Sequence, residues 1–139
     1  MNARDQGATS AARAVAALRR AVADGSLDAL CERHLVQVLV LFGSAVDSEQ
    51  PADVDLGVVP GPSTDLLRLH HDLAVLLDDD RVDLVSLRGA DELLSHRALS
   101  GEGLYEDEPG RFARARDLAA RRYADTDWMR RLQAQVLGG

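Results

Sequence analysis

The chain has 139 residues, a formal net charge of −7 and 16 basic residues, every one of which is arginine. The acidic balance argues against nonspecific nucleic-acid binding as its main role, because phosphate contacts need a clustered basic surface. The absence of lysine excludes Schiff-base chemistry and a Walker-type lysine. We expect a single domain over residues 1–139, with a core at about 10–100 and a helical C-terminal part at about 109–137.

The cysteine content and the hydropathy pattern bear on cellular location. The single cysteine, Cys31, cannot form an internal disulfide and lies in a predicted helix, which is typical of a small buried hydrophobic residue. No apolar stretch approaches the roughly 20 residues that span a bilayer, and the N-terminus has no apolar signal core. We therefore expect a cytoplasmic protein that has no membrane contact.

The N-terminal part predicts two helices followed by a buried strand. Ser10 can cap the first helix, whose apolar residues form one stripe, and Gly25 ends it. A short second helix, Leu27–Arg33, leads into Leu35–Phe42, which is a nearly continuous apolar run. Such a run is typical of a strand that is covered on both faces.

Gly43 and Ser44 end this strand. A glycine lets a phosphate approach the backbone closely, and a serine hydroxyl at a helix N-terminus can bind it. Taken alone, the Gly-Ser pair is more typical of an ordinary turn at the end of a strand. Its position before an acidic strand is what indicates a phosphate site.

The second strand is predicted from Asp53 to Val59. Its two-residue period places Asp53 and Asp55 on one face, whereas Val54 and Leu56 point into a core on the other. Two carboxylates on one face repel each other, so a cation is expected between them. Mg²⁺ is the natural candidate because it prefers hard oxygen ligands.

A third acid, Asp83, lies on another short predicted strand, Arg81–Ser86. If this strand pairs beside the second one, Asp83 can join Asp53 and Asp55 on the same face. Three carboxylates around two metal ions fit an in-line displacement at phosphorus. The pattern therefore predicts a phosphoryl-transfer site on the sheet.

The remaining elements are predicted to be helical. Four more helices are expected, at Leu66–Leu77, Ala90–Leu99, Arg111–Arg122 and Asp127–Leu137. Between the second and third of these, the segment from Gly101 to Tyr105 is interpreted as a short excursion of the chain. The last helix presents Trp128, Leu132 and Val136 along one face, which either packs in the core or docks a partner. The fold class is α/β (α+β), a small mixed sheet packed by helices.

The order of Gly43-Ser44, a short connection, Asp53-Val54-Asp55 and a later Asp83 resembles the signature of the DNA polymerase β type of nucleotidyltransferase. The short length and the C-terminal half look more narrowly like the minimal nucleotidyltransferase (MNT) antitoxins of the MntA type. These antitoxins are paired with HEPN ribonuclease toxins. The resemblance covers nearly the whole chain after about residue 10.

This resemblance implies a nucleotidyltransferase fold, ATP as substrate and Mg²⁺ as cofactor. It implies that Gly43 and Ser44 hold the triphosphate, that Asp53 and Asp55 bind Mg²⁺, and that Asp83 completes the catalytic metal site. In the best-understood members, AMP is transferred to a tyrosine hydroxyl of the toxin. The implied function is therefore an antitoxin adenylyltransferase, and the implied partner is a HEPN-type toxin.

Two alternatives stay open. Members of the family commonly carry an arginine and a glycine soon after the serine, whereas this chain has Ala45, Val46 and Asp47. A non-catalytic antitoxin that neutralises its toxin by binding is therefore the first alternative. The second is a small-molecule nucleotidyltransferase of the aminoglycoside type, although the chain has little room for an additional substrate-binding region.

Overall fold

The computed structural model describes residues 3–47, 51, 53–79 and 81–138. Six helices and four strands are found in this part of the chain. In chain order they are α1 (Ala3–Asp24), α2 (Ser26–Arg33), β1 (Val36–Phe42), α3 (Ser44–Asp47), β2 (Val54–Pro60), α4 (Leu66–Leu77), β3 (Val82–Ser86), α5 (Glu92–Leu99), β4 (Glu102–Glu106) and α6 (Arg111–Gly138). None of the described helices is both long and apolar enough to cross a membrane.

The four strands form one mixed sheet in the order β3-β2-β1-β4. Strand β1 pairs antiparallel with both β2 and β4, whereas β2 pairs parallel with β3. A parallel pair needs a crossover connection, and α4 supplies it between β2 and β3. Every residue of β1 except Gln37 is buried, which explains why this strand reads as a nearly continuous apolar run.

Each face of the sheet has its own apolar core. On one face, Leu39, Leu41 and Leu56 pack with the buried residues of α1, α2 and α4. On the other face, Val38 and Val40 pack with buried residues of α5 and α6. Fully burying one such side chain contributes about 1.5–3 kcal/mol, so these two layers hold the sheet between the helices.

The first helix begins earlier than its capping signal predicts. It runs from Ala3, so Ser10 lies inside α1 and the prediction that it is the N-cap is wrong. The Ser10 hydroxyl instead donates a hydrogen bond of 2.6 Å to Asp79 Oδ2, in the turn between α4 and β3. A serine that has a tertiary acceptor does not need to cap a helix, and the sequence alone cannot distinguish the two uses.

The segment interpreted as a short excursion is the edge strand β4. It pairs with β1, and a Cβ at Gly103 would lie 2.9 Å from the Phe112 ring, so only glycine lets the start of α6 pack so closely on this strand. The two predicted C-terminal helices are one continuous helix, α6. Residues 123–126 contain no glycine or proline that would break it.

Candidate functional site

Asp55 and Asp83 are paired neighbours in the parallel ladder of β2 and β3. Their chain neighbours Val54 and Val82 are buried in the core that faces α1, α2 and α4, so both carboxylates lie on the opposite face. Gly57 lies on that same opposite face, where a Cβ would lie 3.4 Å from Ala98 of α5. The structure therefore brings Asp55 and Asp83 together beside α5, as the period-two pattern predicts.

Asp53 lies immediately before β2 rather than inside it. It is exposed, and its carbonyl oxygen accepts a long hydrogen bond of 3.5 Å from the Ser44 hydroxyl. The two ends of the connection between β1 and β2 are thus held near each other. This contact brings Ser44 close to the first of the predicted acids.

The negative charges of Asp53 and Asp83 act on Asp55. Burial raises the pKa of Asp55 above its usual range, and the negative charges of Asp83 and Asp53 raise it further. The positive charge of Arg97 opposes this increase. Asp55 therefore lies in a field that disfavours its own negative charge and would favour a bound cation.

A metal site is not preassembled from these side chains. Among the described residues, no three carboxylate, imidazole or thiolate groups are arranged so that they could hold a metal ion. Mg²⁺ often takes only one or two carboxylates in proteins and completes its shell with water and substrate phosphates. Asp53, Asp55 and Asp83 offer only carboxylate oxygens as ligands. This ligand type fits Mg²⁺ when water and substrate phosphates complete its coordination shell.

Gly43 lies directly beside the Asp55 carboxylate. Its φ is +74°, a left-handed value that favours glycine, and a Cβ at this position would lie 2.6 Å from Asp55 Oδ2. Phe42, the preceding residue, is the ladder partner of Asp55. The Gly-Ser step is therefore packed directly against Asp55, a contact that the residue types alone do not predict.

Ser44 is the first residue of α3, a helix of 4 residues. The expected place of its hydroxyl at the start of a helix is observed, although the helix is only one turn long. Ala45 is buried and Val46 is 40% exposed. The side chain of Asp47 lies outside the part of the chain that the structure describes.

Arg97 is a residue of this region that the sequence did not single out. It lies in the last turn of α5 and precedes Ala98, the residue that packs over Gly57. A cation in the last turn of a helix is an ordinary helix-stabilising feature, so its position carried no functional signal. Only the packing of α5 across β2 brings its charge to Asp55.

The sequence model of the family described as "Polymerase beta, Nucleotidyltransferase" matches residues 26–109. This protein belongs to that nucleotidyltransferase family. The match includes every candidate site residue of this nucleotidyltransferase, namely Gly43, Ser44, Asp53, Asp55, Asp83 and Arg97. The predicted relation to the polymerase β type is confirmed.

Solved structures with the same fold come from toxin–antitoxin complexes. A chain in an MntA-HpeT toxin–antitoxin mutant is 24% identical, covers 84% of this nucleotidyltransferase and 98% of its own length, and has a TM-score of 0.65. A chain in a toxin–antitoxin structure with AMP-PNP is 22% identical at 83% and 98% coverage, with a TM-score of 0.64. These likenesses confirm the predicted nucleotidyltransferase fold.

A third similar structure is that of a tri-AMPylated HEPN toxin from Shewanella oneidensis in complex with MNT antitoxin. The matching chain is 24% identical, covers 81% of this chain and 90% of its own, and has a TM-score of 0.55. No curated protein sequence matches the chain.

Proposed function

We propose that this nucleotidyltransferase is an antitoxin that transfers AMP from ATP to a tyrosine hydroxyl of a HEPN ribonuclease toxin and thereby neutralises it. The observation that carries the proposal is the pairing of Asp55 with Asp83 directly beside Gly43. Membership of the polymerase β nucleotidyltransferase family supports nucleotidyl transfer. The HEPN toxin partner and the AMP group are supported by the structural neighbours, which include an AMP-PNP complex and a tri-AMPylated toxin.

In this proposal the nucleotide lies against the turn after β1. Gly43 lets the backbone turn lie directly against Asp55, where any larger side chain would collide, and it would let a phosphate approach the backbone closely. The Ser44 hydroxyl, which lies beside Asp53, would donate a hydrogen bond to a phosphate oxygen. These two residues orient the triphosphate, and such positioning is the main contribution that a protein makes to phosphoryl transfer.

The acids would hold Mg²⁺ and receive the proton. Asp53 and Asp55 are the proposed Mg²⁺ ligands, and Asp83 completes the set. Bound Mg²⁺ would neutralise charge on the phosphate oxygens and lower the pKa of a nearby hydroxyl. Asp83 is exposed on β3, which is an edge strand of the sheet, so a hydroxyl on another protein can reach it.

The transfer itself is a displacement at the α-phosphorus. The tyrosine oxygen forms a bond to this phosphorus while the bond to the pyrophosphate oxygen breaks, and pyrophosphate leaves. The hydroxyl proton passes to a carboxylate, for which Asp83 is the accessible candidate. The toxin gains one AMP group for each ATP that is consumed.

The C-terminal helix offers the surface on which we place the toxin. All residues from Trp128 to Leu137 are exposed, and Trp128, Leu132 and Val136 recur at one-turn spacing. The described contacts of α6 with the sheet core come from Phe112, Ala115 and Ala119. At 3.6 residues per turn, those contacts lie roughly 130° around the helix from the exposed stripe.

The core-packing alternative for this face is therefore wrong, because Trp128 is 65% exposed. A contiguous exposed apolar stripe marks a protein contact, and tryptophan is enriched at the centres of such contacts. The sheet packing of α6 leaves this stripe free for the toxin. The acidic site and the stripe are then two separate contacts with one partner.

The non-catalytic antitoxin remains a second candidate for one specific reason. No basic residue follows Ser44 before position 48, and the described carboxylates do not form a preassembled metal cluster. Such a protein would keep the fold and the docking stripe but would modify nothing.

The experiment that tests the proposal combines the purified protein and its HEPN-type toxin with Mg²⁺ and ATP labelled at the α-phosphate. Transfer is expected to label the toxin and to add the mass of AMP to it. Neutralisation without a change in mass would support the non-catalytic alternative. Labelling of an aminoglycoside added to the same reaction, instead of the toxin, would support the small-molecule alternative.

A further inference from the structure

The candidate site has a marked excess of negative charge. Asp55 and Asp83 are ladder partners, Asp53 lies two residues before Asp55, and the sequence from Gly43 to Asp47 contains no cation. A nucleotide triphosphate adds several negative charges of its own. A cationic side chain would offset part of this negative charge and help to hold the triphosphate.

The last turn of α5 crosses the sheet at this place. Ala98 packs over Gly57, two residues along β2 from Asp55. Gly101, just after the helix, lies so close to the Leu41 carbonyl and to Phe42 that a Cβ would collide with them. Arg97 therefore lies in a turn that is fixed against the ends of β1 and β2, on the sheet face that carries Asp55.

Arg97 is available to a ligand. It is exposed, and within the described part of the chain no carboxylate lies within ion-pair distance of its guanidinium. Other arginines are engaged, for example Arg111 with Asp107 and Arg114 with Glu108. The chain neighbour of Arg97, Ala98, packs over Gly57, which lies on the same sheet face as Asp55, so Arg97 starts from that face.

We propose that the Arg97 guanidinium binds the triphosphate of the nucleotide. This inference rests on the proposed function and names the residue that supplies positive charge to that site. A guanidinium presents parallel N–H donors that match two phosphate oxygens, and such charge-assisted bonds are stronger than neutral ones. A lysine at the same position would keep the charge but lose the paired geometry.

The test compares nucleotide binding by three variants in the presence of Mg²⁺. Arg97→Gln is expected to weaken ATP binding by about tenfold or more, as the loss of a hydrogen bond to a charged group does. Arg97→Lys should fall between Arg97→Gln and the wild type. Arg68→Gln is the matched control, because Arg68 is an exposed arginine on α4, which packs on the opposite face of the sheet.

Ligand truncation separates a phosphate contact from a structural effect. Adenosine binding should be the same in wild type and Arg97→Gln, and inorganic triphosphate should displace ATP less effectively from the variant. The KM for ATP should rise more than kcat falls. The thermal midpoint should not move, because Arg97 is exposed and has no ion pair among the described residues.

Each outcome decides a different point. If Arg97→Gln binds ATP as the wild type does, the Arg97 assignment is wrong although the proposed function can stand. Equal weakening of ATP and adenosine would also overturn the assignment, because the contact would then not be with phosphate. Arg97-dependent ATP binding without AMP transfer would support Arg97 and overturn the transfer reaction. No ATP binding by the wild type would overturn both.

Discussion

Asp55 and Asp83 are direct neighbours across the parallel pair of β2 and β3, with both carboxylates on the sheet face that α5 covers. The strand register places both carboxylates on one face because the side chains of laterally paired residues point to the same face of a sheet. A shift of one residue would move Asp83 into the opposite core beside the leucines of α4. The pairing therefore decides whether these two acids can share a ligand.

Removing the two acids around β2 is expected to abolish transfer without unfolding the protein. Asp53→Ala with Asp55→Ala should leave no Mg²⁺-dependent labelling of the toxin. Stability at neutral pH should hold or rise, because the raised pKa of Asp55 means that its ionised form is disfavoured in the fold. Labelled ATP and thermal unfolding measure the two effects.

The control for this double variant is Asp28→Ala with Glu32→Ala, which removes two exposed acids from α2. It should transfer AMP like the wild type. Equal labelling by the wild type and by the Asp53/Asp55 variant would rule out catalysis at this site.

Gly43 and Gly89 form a matched pair for testing whether AMP transfer needs the close approach of Gly43 to Asp55. Both have a left-handed φ, at +74° and +77°, but only at Gly43 would a Cβ meet another group, Asp55 Oδ2 at 2.6 Å. Each change to alanine should destabilise the fold by about 1–2 kcal/mol through backbone strain. Gly43→Ala should in addition displace Asp55 and lose AMP transfer, whereas Gly89→Ala should retain it.

Denaturant titration and the labelling assay measure these two effects separately. If Gly43→Ala and Gly89→Ala keep the same transfer rate, the close approach of Gly43 to Asp55 has no role in the reaction.

The thiol of Cys31 should be unreactive in the folded protein. Burial, together with the negative charges of Asp28 and Glu32, raises its pKa to about 12. At pH 8 almost no thiolate is therefore present, and a disulfide reagent should modify Cys31 only as fast as the protein opens. Modification in denaturant supplies the reference rate, and rapid labelling without denaturant would contradict the buried position.

Trp128 is the single tryptophan of the chain and reports on the proposed docking stripe. Because it is 65% exposed, acrylamide should quench its fluorescence efficiently in the isolated protein. Quenching should decrease when a toxin variant without tryptophan is added, since the stripe would then be covered. A complex that forms without any change in quenching would place the toxin on another surface.

Replacing the stripe should weaken binding and leave the fold intact. Trp128→Ser should change the free energy of unfolding by less than about 0.5 kcal/mol, as exposed substitutions usually do. Its affinity for the toxin should fall by tenfold or more if Trp128 is a hot spot worth about 2 kcal/mol. Gln133→Ser, an exposed change outside the stripe, is the control.

Local patterns in the sequence determined the sheet strands that carry the site and the order of its residues. The apolar run before Gly43 predicted β1 to within one residue, and the alternation around Val54 and Leu56 placed Asp55 on the correct face. These predictions succeeded because burial on a strand leaves a short-range signature of period two. The Gly-Ser step and the third acid could likewise be identified from residue type and order.

Only the tertiary structure decided the features that depend on contacts between distant residues. Strand β4 is short and partly exposed, and pairing with β1 stabilises it rather than any strong pattern of its own. The Ser10 hydroxyl donates a hydrogen bond to Asp79, and the charge of Arg97 acts on Asp55. Both pairs join residues that are far apart in the chain. Such contacts arise when helices pack on a sheet, so no local spacing in the sequence encodes them.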